Sequence, residues 1–381
     1  VPSVLLGGLL SSLATLPLYL LDGSAWALNY HTTDKSKHVM IRLSEKHGLK
    51  HDGAFSLFVV TNGVVSGSMH AVDDDAILGP LLSDWAPNRM LRSDLFTGAL
   101  LGGSGAESKH LVLRRRIYFP ESPATREAIL GNDGSSMAFT LAFIDARFNF
   151  RSGFLHTTRA QLVETAALLY QGACWHMESN KDDAGVLPFT LFDVDLLTEE
   201  VLPSTMAGIR HRDALIADIE KMWRSGINKL SEFDAESLFC HKLSTWTDWY
   251  GSILFPCKIV SGNSTSDNSS SGGGTLIGSR KQQFLAVTGL GVYVMERASD
   301  VEDGMVKVWS FEWTRVAEWA GEAAGVSGRL VLRVHVDGEE GTQTRTVVLP
   351  TPESMYAVID QMIEYTHITR LGGALDRAGA E

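Results

Sequence analysis

The spacing of hydrophobic and polar positions changes character twice along the chain. In the first stretch, short apolar runs alternate with one helical stripe. Leu16–Leu21 is a continuous apolar run, Asp22-Gly23 is a hairpin turn signal because glycine tolerates positive φ, and Trp26–Tyr30 reads as a second strand. Thr33 or Asp34 can cap a helix running to about His47, with Val39, Met40 and Leu43 on one face and Gly48 as its left-handed stop. Ala54–Val60 is a strand followed by an Asn62-Gly63 turn. Asp75–Trp85 is a short helix with Ile77, Leu81 and Leu82 inward, and Leu111–Phe119 is a last strand ending at Pro120. The Gly-rich stretch Met90–Ser108 reads as an insertion loop.

The second stretch has helical period. Ser135–Arg151 puts Leu141, Ile144 and Phe148 on one stripe closed by Gly153; Thr157 or Thr158 caps a helix through Tyr170 with Leu162, Ala166, Leu169 and Tyr170 inward. Thr205–Ser225 follows, with Leu215, Ile219 and Met222 on one face and Gly226 at its end, then Asp234–Trp249 with Leu238, Leu243 and Trp246 apolar. The third stretch switches to period two: Phe284–Thr288, Val292–Glu296, Val306–Phe311, Arg315–Trp319, Leu330–Val336 and Thr344–Leu349 are short strands, punctuated by Gly289, Gly291, Gly304 and Asp337-Gly338. A closing helix has Thr351 as N-cap, Pro352 at its first position, and Met355, Ile359, Met362 and Ile363 as its inward stripe. Residues after Arg370 read as a frayed tail. Between the second and third stretches, Ser261–Gly274 carries no apolar residue and reads as a flexible linker.

The elements assemble into an α+β chain of several domains. The order ββαβ(β)αβ is that of a ubiquitin-like roll, the helices suggest a small bundle, and antiparallel strands closed by a C-terminal helix fit the pleckstrin-homology or phosphotyrosine-binding superfold. The boundaries read as a lead-in at 1–15, first lobe 16–120, helical lobe 121–257, linker 258–275, last lobe 276–371 and tail 372–381. The 381 residues carry 33 Lys plus Arg against 45 Asp plus Glu, a net charge of −12, which argues against nucleic acid as a partner. Cys174, Cys240 and Cys257 form no zinc pattern and read as thiols of a reducing compartment. Val4–Leu21 is Leu-rich but interrupted by Ser11, Ser12, Thr15 and Pro17, and no Lys or Arg precedes it; an inter-domain lead-in fits it better than a signal anchor.

Motifs for chemistry are missing. Gly273–Gly278 has phosphate-loop spacing, but Ser279 stands where the lysine belongs and no strand precedes it; Gly289-Leu290-Gly291 opens a strand and reads as a hairpin turn. His47 and His51 are separated by a glycine, gather no further ligand and read as surface histidines. Asp73-Asp74-Asp75 lacks the rest of a calcium loop and reads as a helix N-terminus favoured by the macrodipole. No catalytic residue, metal ligand or cofactor site is expected. Arg114, Arg115 and Arg116 form the densest basic run. It reads either as a lipid-headgroup or anion site, or as an edge strand whose arginines face solvent or a neighbouring lobe. Trp309, Trp313 and Trp319 read as either packing or a ligand wall.

The ordered set LPLYLLDGS (Leu16–Ser24), GAFSLFVV (Gly53–Val60), LVLRRRIYFP (Leu111–Pro120), Phe139–Gly153, Gln161–Tyr170, FLAVTGLGVYVMER (Phe284–Arg297) and VWSFEWTRVAEW (Val308–Trp319) resembles the FERM module over about residues 16–371. The resemblance is nearest to the FERM of myosin-tail-homology/FERM tandems in unconventional myosins or kinesin-like motors, with a talin-like last lobe. It implies three lobes: a ubiquitin-like roll, an acyl-CoA-binding-protein-like helical bundle, and a PH/PTB-like sandwich. It further implies a non-enzymatic, cytoplasmic, cytoskeleton-associated module at or near the inner face of the plasma membrane. Its partners would be a cytoplasmic peptide of a membrane or adaptor protein, acidic phospholipid, and the actin or microtubule system through the parent protein. Peptide addition to an edge strand would place the groove at Gly328–Val336, with Leu330, Leu332 and Val334 alternating against Val331, Arg333 and His335, beside a helix flank at Met355 and Ile359. The alternative is that these apolar residues are core. The leading function is the cargo- or partner-binding tail of a motor. A talin- or ezrin-type membrane linker binding phosphoinositides, or a regulatory module of a kinase or phosphatase, are the alternatives.

Overall fold

The computed structural model describes residues 13–49, 55–61, 68–83, 109–116, 136–155, 158–179, 192–203, 206, 211–260, 282–298, 304–324, 327–335 and 342–378. Expectations for Met90–Ser108, Asn62-Gly63, His51, the Ser261–Gly274 linker, the glycines from 273 to 278 and Asp337-Gly338 lie outside those residues. Two compact units divide the chain, Val1–Arg114 and Arg115–Glu381, so the helices and the second sheet belong to one unit.

The first unit runs β1 (Leu13–Tyr19), β2 (Ala25–His31), α1 (Ser36–His47), β3 (Phe55–Thr61), β4 (Ser68–Ala71), α2 (Leu78–Leu82) and β5 (Lys109–Arg115). The strands order as β2-β1-β5-β3-β4, the mixed sheet of a ubiquitin-like roll, with β5 parallel to β1 through Leu18↔Leu111 and Tyr19↔Val112. Gly23 adopts φ 85° in the β1–β2 turn, where the Asp22 carboxylate accepts the Ser24 N–H at 2.9 Å. Val39, Met40 and Leu43 are buried, and Gly48 ends α1 at φ 67°.

The start of α1 departs from expectation. Lys35 holds the cap position without a side-chain cap, because Asp34 accepts the His31 N–H and pairs with Arg42 instead. The free N–H groups of Ser36 and Lys37 donate to the carbonyls of Ala76 and Asp74. The Asp73–Asp75 run therefore serves the N-terminus of α1, not that of α2. Asp75 pairs with Lys35 and Lys37 at 2.9 and 2.8 Å, which lowers its pKa to about 2. α2 is only five residues long, and Ile77, expected inward, precedes it and is exposed.

In the second unit, α3 (Met137–Arg151), α4 (Arg159–Ser179), α5 (Arg212–Arg224) and α6 (Glu232–Trp246) pack together. The Thr158 hydroxyl accepts the Gln161 N–H and Ser231 that of Asp234, fixing two starts. α4 runs well past Tyr170. Its Gln171 is buried between Trp223, whose Nε1 donates to Gln171 Oε1 at 2.7 Å, and the Leu230 carbonyl, which accepts from Gln171 Nε2 at 2.8 Å. Met222, Leu238 and Trp246, expected inward, are only half-buried; Trp223, Ala235 and Phe239 take the core.

The second sheet contains β6 (Leu254–Val260), β7 (Gln283–Val287), β8 (Gly291–Arg297), β9 (Met305–Glu312), β10 (Val316–Ala324), β11 (Ser327–His335) and β12 (Thr342–Leu349), in the order β10-β11-β12-β6-β7-β8-β9, covered by α7 (Pro352–Ala378). β6 corrects the reading that split its residues between bundle and linker: it pairs with β7 over Leu254–Cys257 and with β12 over Lys258–Val260. α7 continues to Ala378, beyond the expected end near Arg370. The bundle meets this sheet through Phe154, whose ring lies 4.9 Å from that of Phe284 on β7, and through Arg297 on β8, which stacks on Phe154 and donates to the Ser152 carbonyl.

Candidate docking groove

The register of α7 is set at its first turn, where the Thr351 hydroxyl accepts the Ser354 N–H at 3.1 Å. From there Met355, Val358, Met362 and Tyr365 fall at three- and four-residue spacing and are buried against the sheet. Two glycines let the helix lie close: a Cβ on Gly321 would stand 2.3 Å from Ile359 Cδ1, and one on Gly328 would stand 2.4 Å from Met355 Cβ. Ile359 therefore overlies β10 while Met355 overlies both β10 and β11. At 100° per residue, Ile363 and Tyr356 stand next around the helix on the same flank as Ile359, and they are 53% and 54% exposed. The helix thus carries an exposed apolar flank on the side of β10.

β10 ends the sheet, and among the described residues no strand pairs with its outer side. A register irregularity isolates Ala317, but from Glu318 to Ala324 the pairing with β11 is regular. Alternate N–H and C=O groups of that segment point outward, as on any edge strand. β9, at the other end, has its irregularity within the strand, at Val308, which interrupts a continuous docking edge.

No protein-family model matches the sequence, and no curated protein matches it significantly. Solved structures do match. The MyTH4-FERM MF2 domain of Dictyostelium discoideum myosin VII superposes with TM-score 0.57 at 13% identity, over 91% of this chain and 57% of that one. The C-terminal MyTH4-FERM domain of human myosin 7b, in complex with the harmonin-a PDZ3 domain, gives 0.57 at 13%, over 93% and 60%. The complex of the FERM and C-terminal domains of Drosophila Merlin gives 0.56 at 12%, over 95% and 98%.

The chain has the FERM fold.

The chain spans less than two thirds of those myosin chains. Several site expectations drawn from the FERM resemblance need correction. β11 is not an edge: it pairs with β10 on one side and β12 on the other. Leu330, Leu332 and Val334 are fully buried, as is Met355, so these residues are core; of the expected groove residues only Ile359 stands on the exposed side. β5 is likewise interior, and Arg114 and Arg115 are buried, with Arg114 Nη1 3.7 Å from Met69 Sδ. Arg116 donates from Nε to Glu364 on α7 at 2.9 Å and forms an ion pair with it. The three arginines do not form an exposed headgroup patch.

The tryptophans take an intermediate place. Trp309, Trp313 and Trp319 are all half-buried; Trp313 donates to the Thr288 carbonyl at 2.9 Å and its ring lies 6.3 Å from that of Trp319. His47, expected at the surface, is half-buried and stacks on Trp26 at 3.8 Å, where burial lowers its pKa. Cys174, Cys240 and Cys257 form no disulfide, and Cys174 and Cys257 are buried. Among the described residues no cluster of His, Cys, Asp or Glu is arranged to hold a metal, and no helix is long and apolar enough to cross a membrane. The sequence reading leaves out residues 320–324 of β10 and Tyr356. Periodicity places Ile363 on the inward stripe, whereas the structure exposes it.

Proposed function

We propose that this chain is a non-enzymatic partner-binding module, the cargo-binding tail of a cytoskeletal motor, which takes an extended peptide of a membrane or adaptor protein as an added strand on β10. The observation that carries this reading is the regular open edge Glu318–Ala324 beside the exposed flank of Tyr356 and Ile363. The edge supplies backbone hydrogen bonds, and the flank supplies an apolar surface for alternate side chains. The motor assignment draws support from the myosin VII and 7b structures it superposes on, one of them solved with a protein partner.

The test is affinity selection of peptides from a randomised library on the full chain, followed by measurement on the Y356D/I363D variant. Both side chains are exposed, so the variant folds. Peptides that add to β10 lose at least about tenfold in affinity on the variant. Unchanged affinity moves the site elsewhere.

A further inference from the structure

The open edge has a charge pattern on the face turned away from α7. The side chains of Trp319, Gly321 and Ala323 share the helix-facing side of β10, so Glu318, Ala320 and Glu322 point to the other face. On β11, Arg333 stands directly across from Glu318, Val331 from Ala320, and Arg329 from Glu322. Arg333 bonds Glu318 at 3.0 Å. The outer face therefore presents a basic column on β11, then an acidic column on β10, then the open edge. Glu318 and Glu322 are exposed, and Glu322 has no ion pair among the described residues.

Resting on the reading of β10 as the docking edge, we infer that the partner strand has the pattern basic–apolar–any–apolar–basic. Residues of an added strand directly across from Glu318 and Glu322 share their face, and opposite charges placed directly across a pair of strands attract. The two carboxylates are four residues apart, about 13 Å along the strand, so the two Lys or Arg residues must be four apart as well. The residues across from Trp319 and Gly321 turn to the helix side. There they stand beside Ile359, Tyr356 and Ile363, so apolar side chains at these two positions pack on the apolar flank of α7. The residue across from Ala320 faces solvent. The pattern reads the same in both directions, so it holds whether the strand adds parallel or antiparallel. It also extends the sheet's own order of columns: basic, acidic, basic.

The test uses fluorescence anisotropy at low salt with the full chain and two labelled peptides, one containing Lys-Val-Thr-Val-Lys and one Glu-Val-Thr-Val-Glu in the same Gly/Ser flanks. The lysine peptide binds about tenfold more tightly, and the preference shrinks with added salt. On the E318K/E322K variant the order reverses; E322K alone, which leaves the Glu318–Arg333 pair intact, shows the same direction in a smaller step. If both peptides bind equally to the unaltered chain, the charge pattern is wrong while the edge reading stands. If neither binds, both are wrong.

Discussion

Glu236, half-buried, is a carboxyl whose surroundings make stability depend on pH. It lies on α6 facing Gly172 of α4, where a Cβ would approach its Cγ to 3.3 Å. Burial first, then the charge of Glu232, raises its pKa to about 8 against an ordinary 4.5, with Arg147 pulling the other way. A carboxyl raised on folding contributes stability below its unfolded pKa and loses it as pH rises through its folded one. E236Q therefore raises the melting temperature at about pH 8 by a few degrees and flattens the slope below it, measured by thermal unfolding across pH; an unchanged slope contradicts this. The two glycines under α7 differ in what they touch. A methyl on Gly321 meets the far ends of Ile359 and Met355, which can move, whereas one on Gly328 meets Met355 Cβ and the Thr351 carbonyl, which cannot. G328A costs about 2–3 kcal/mol and G321A less, by urea unfolding. Arg114, 3% exposed, behaves as a structural group. R114Q lowers stability by about 1–3 kcal/mol, whereas selective loss of liposome binding in a protein of unchanged stability would restore the headgroup reading.

At the scale of elements, the helical unit hangs on a buried polar contact. Trp223 and Gln171 exchange one hydrogen bond, and Gln171 spends its other end on the Leu230 carbonyl. W223F keeps most of the ring volume but leaves the Gln171 oxygen unpaired, at a cost of about 1–3 kcal/mol in urea unfolding. The elements most legible from sequence were those with matching caps and stripes: α1 with Gly48, the Thr351-Pro352 start of α7, and the turn at Thr288–Gly291. β10 was legible only to Trp319. Its second half reads Ala320-Gly321-Glu322-Ala323-Ala324, residues of low strand propensity, and these form the open edge. Low propensity here has a use, since Gly321 admits Ile359. β6 was hidden for a different reason: Pro256 argues against a central strand, but over Leu254–Cys257 the strand pairs only with β7, where a proline is tolerated. Strand periodicity also says which residues alternate but not the order of strands in the sheet. That is why the alternation of Leu330, Leu332 and Val334 is compatible with an edge strand although theirs lies inside the sheet.

At the scale of the whole molecule, order along the chain carried the fold where no single segment did. The succession of a mixed sheet, helices and an antiparallel sheet with a terminal helix is what the solved FERM structures share with it at 12–13% identity. The two units respond oppositely to pH. In the first, burial lowers the pKa of His47, and the lysine pairs lower that of Asp75, so their contributions are lost as pH falls. In the second, Glu236 loses its contribution as pH rises toward about 8. Asp75 loses its contribution only below about pH 4, so moving from about pH 8 to about pH 5 weakens the first unit relative to the second through His47 and Glu236, an effect that hydrogen exchange resolved by segment would show as faster exchange in α1 than in α6. Equal changes in both would contradict it.

The most direct measurement of the docking account is hydrogen exchange of the full chain with and without a saturating library-selected peptide. A strand added to β10 slows exchange at alternate amides of Glu318–Ala324 and leaves β9 unchanged. Unaltered exchange over Glu318–Ala324, with protection instead around the hollow of about 580 Å³ that Ala160, Val163 and Met222 line between α4 and α5, would contradict it.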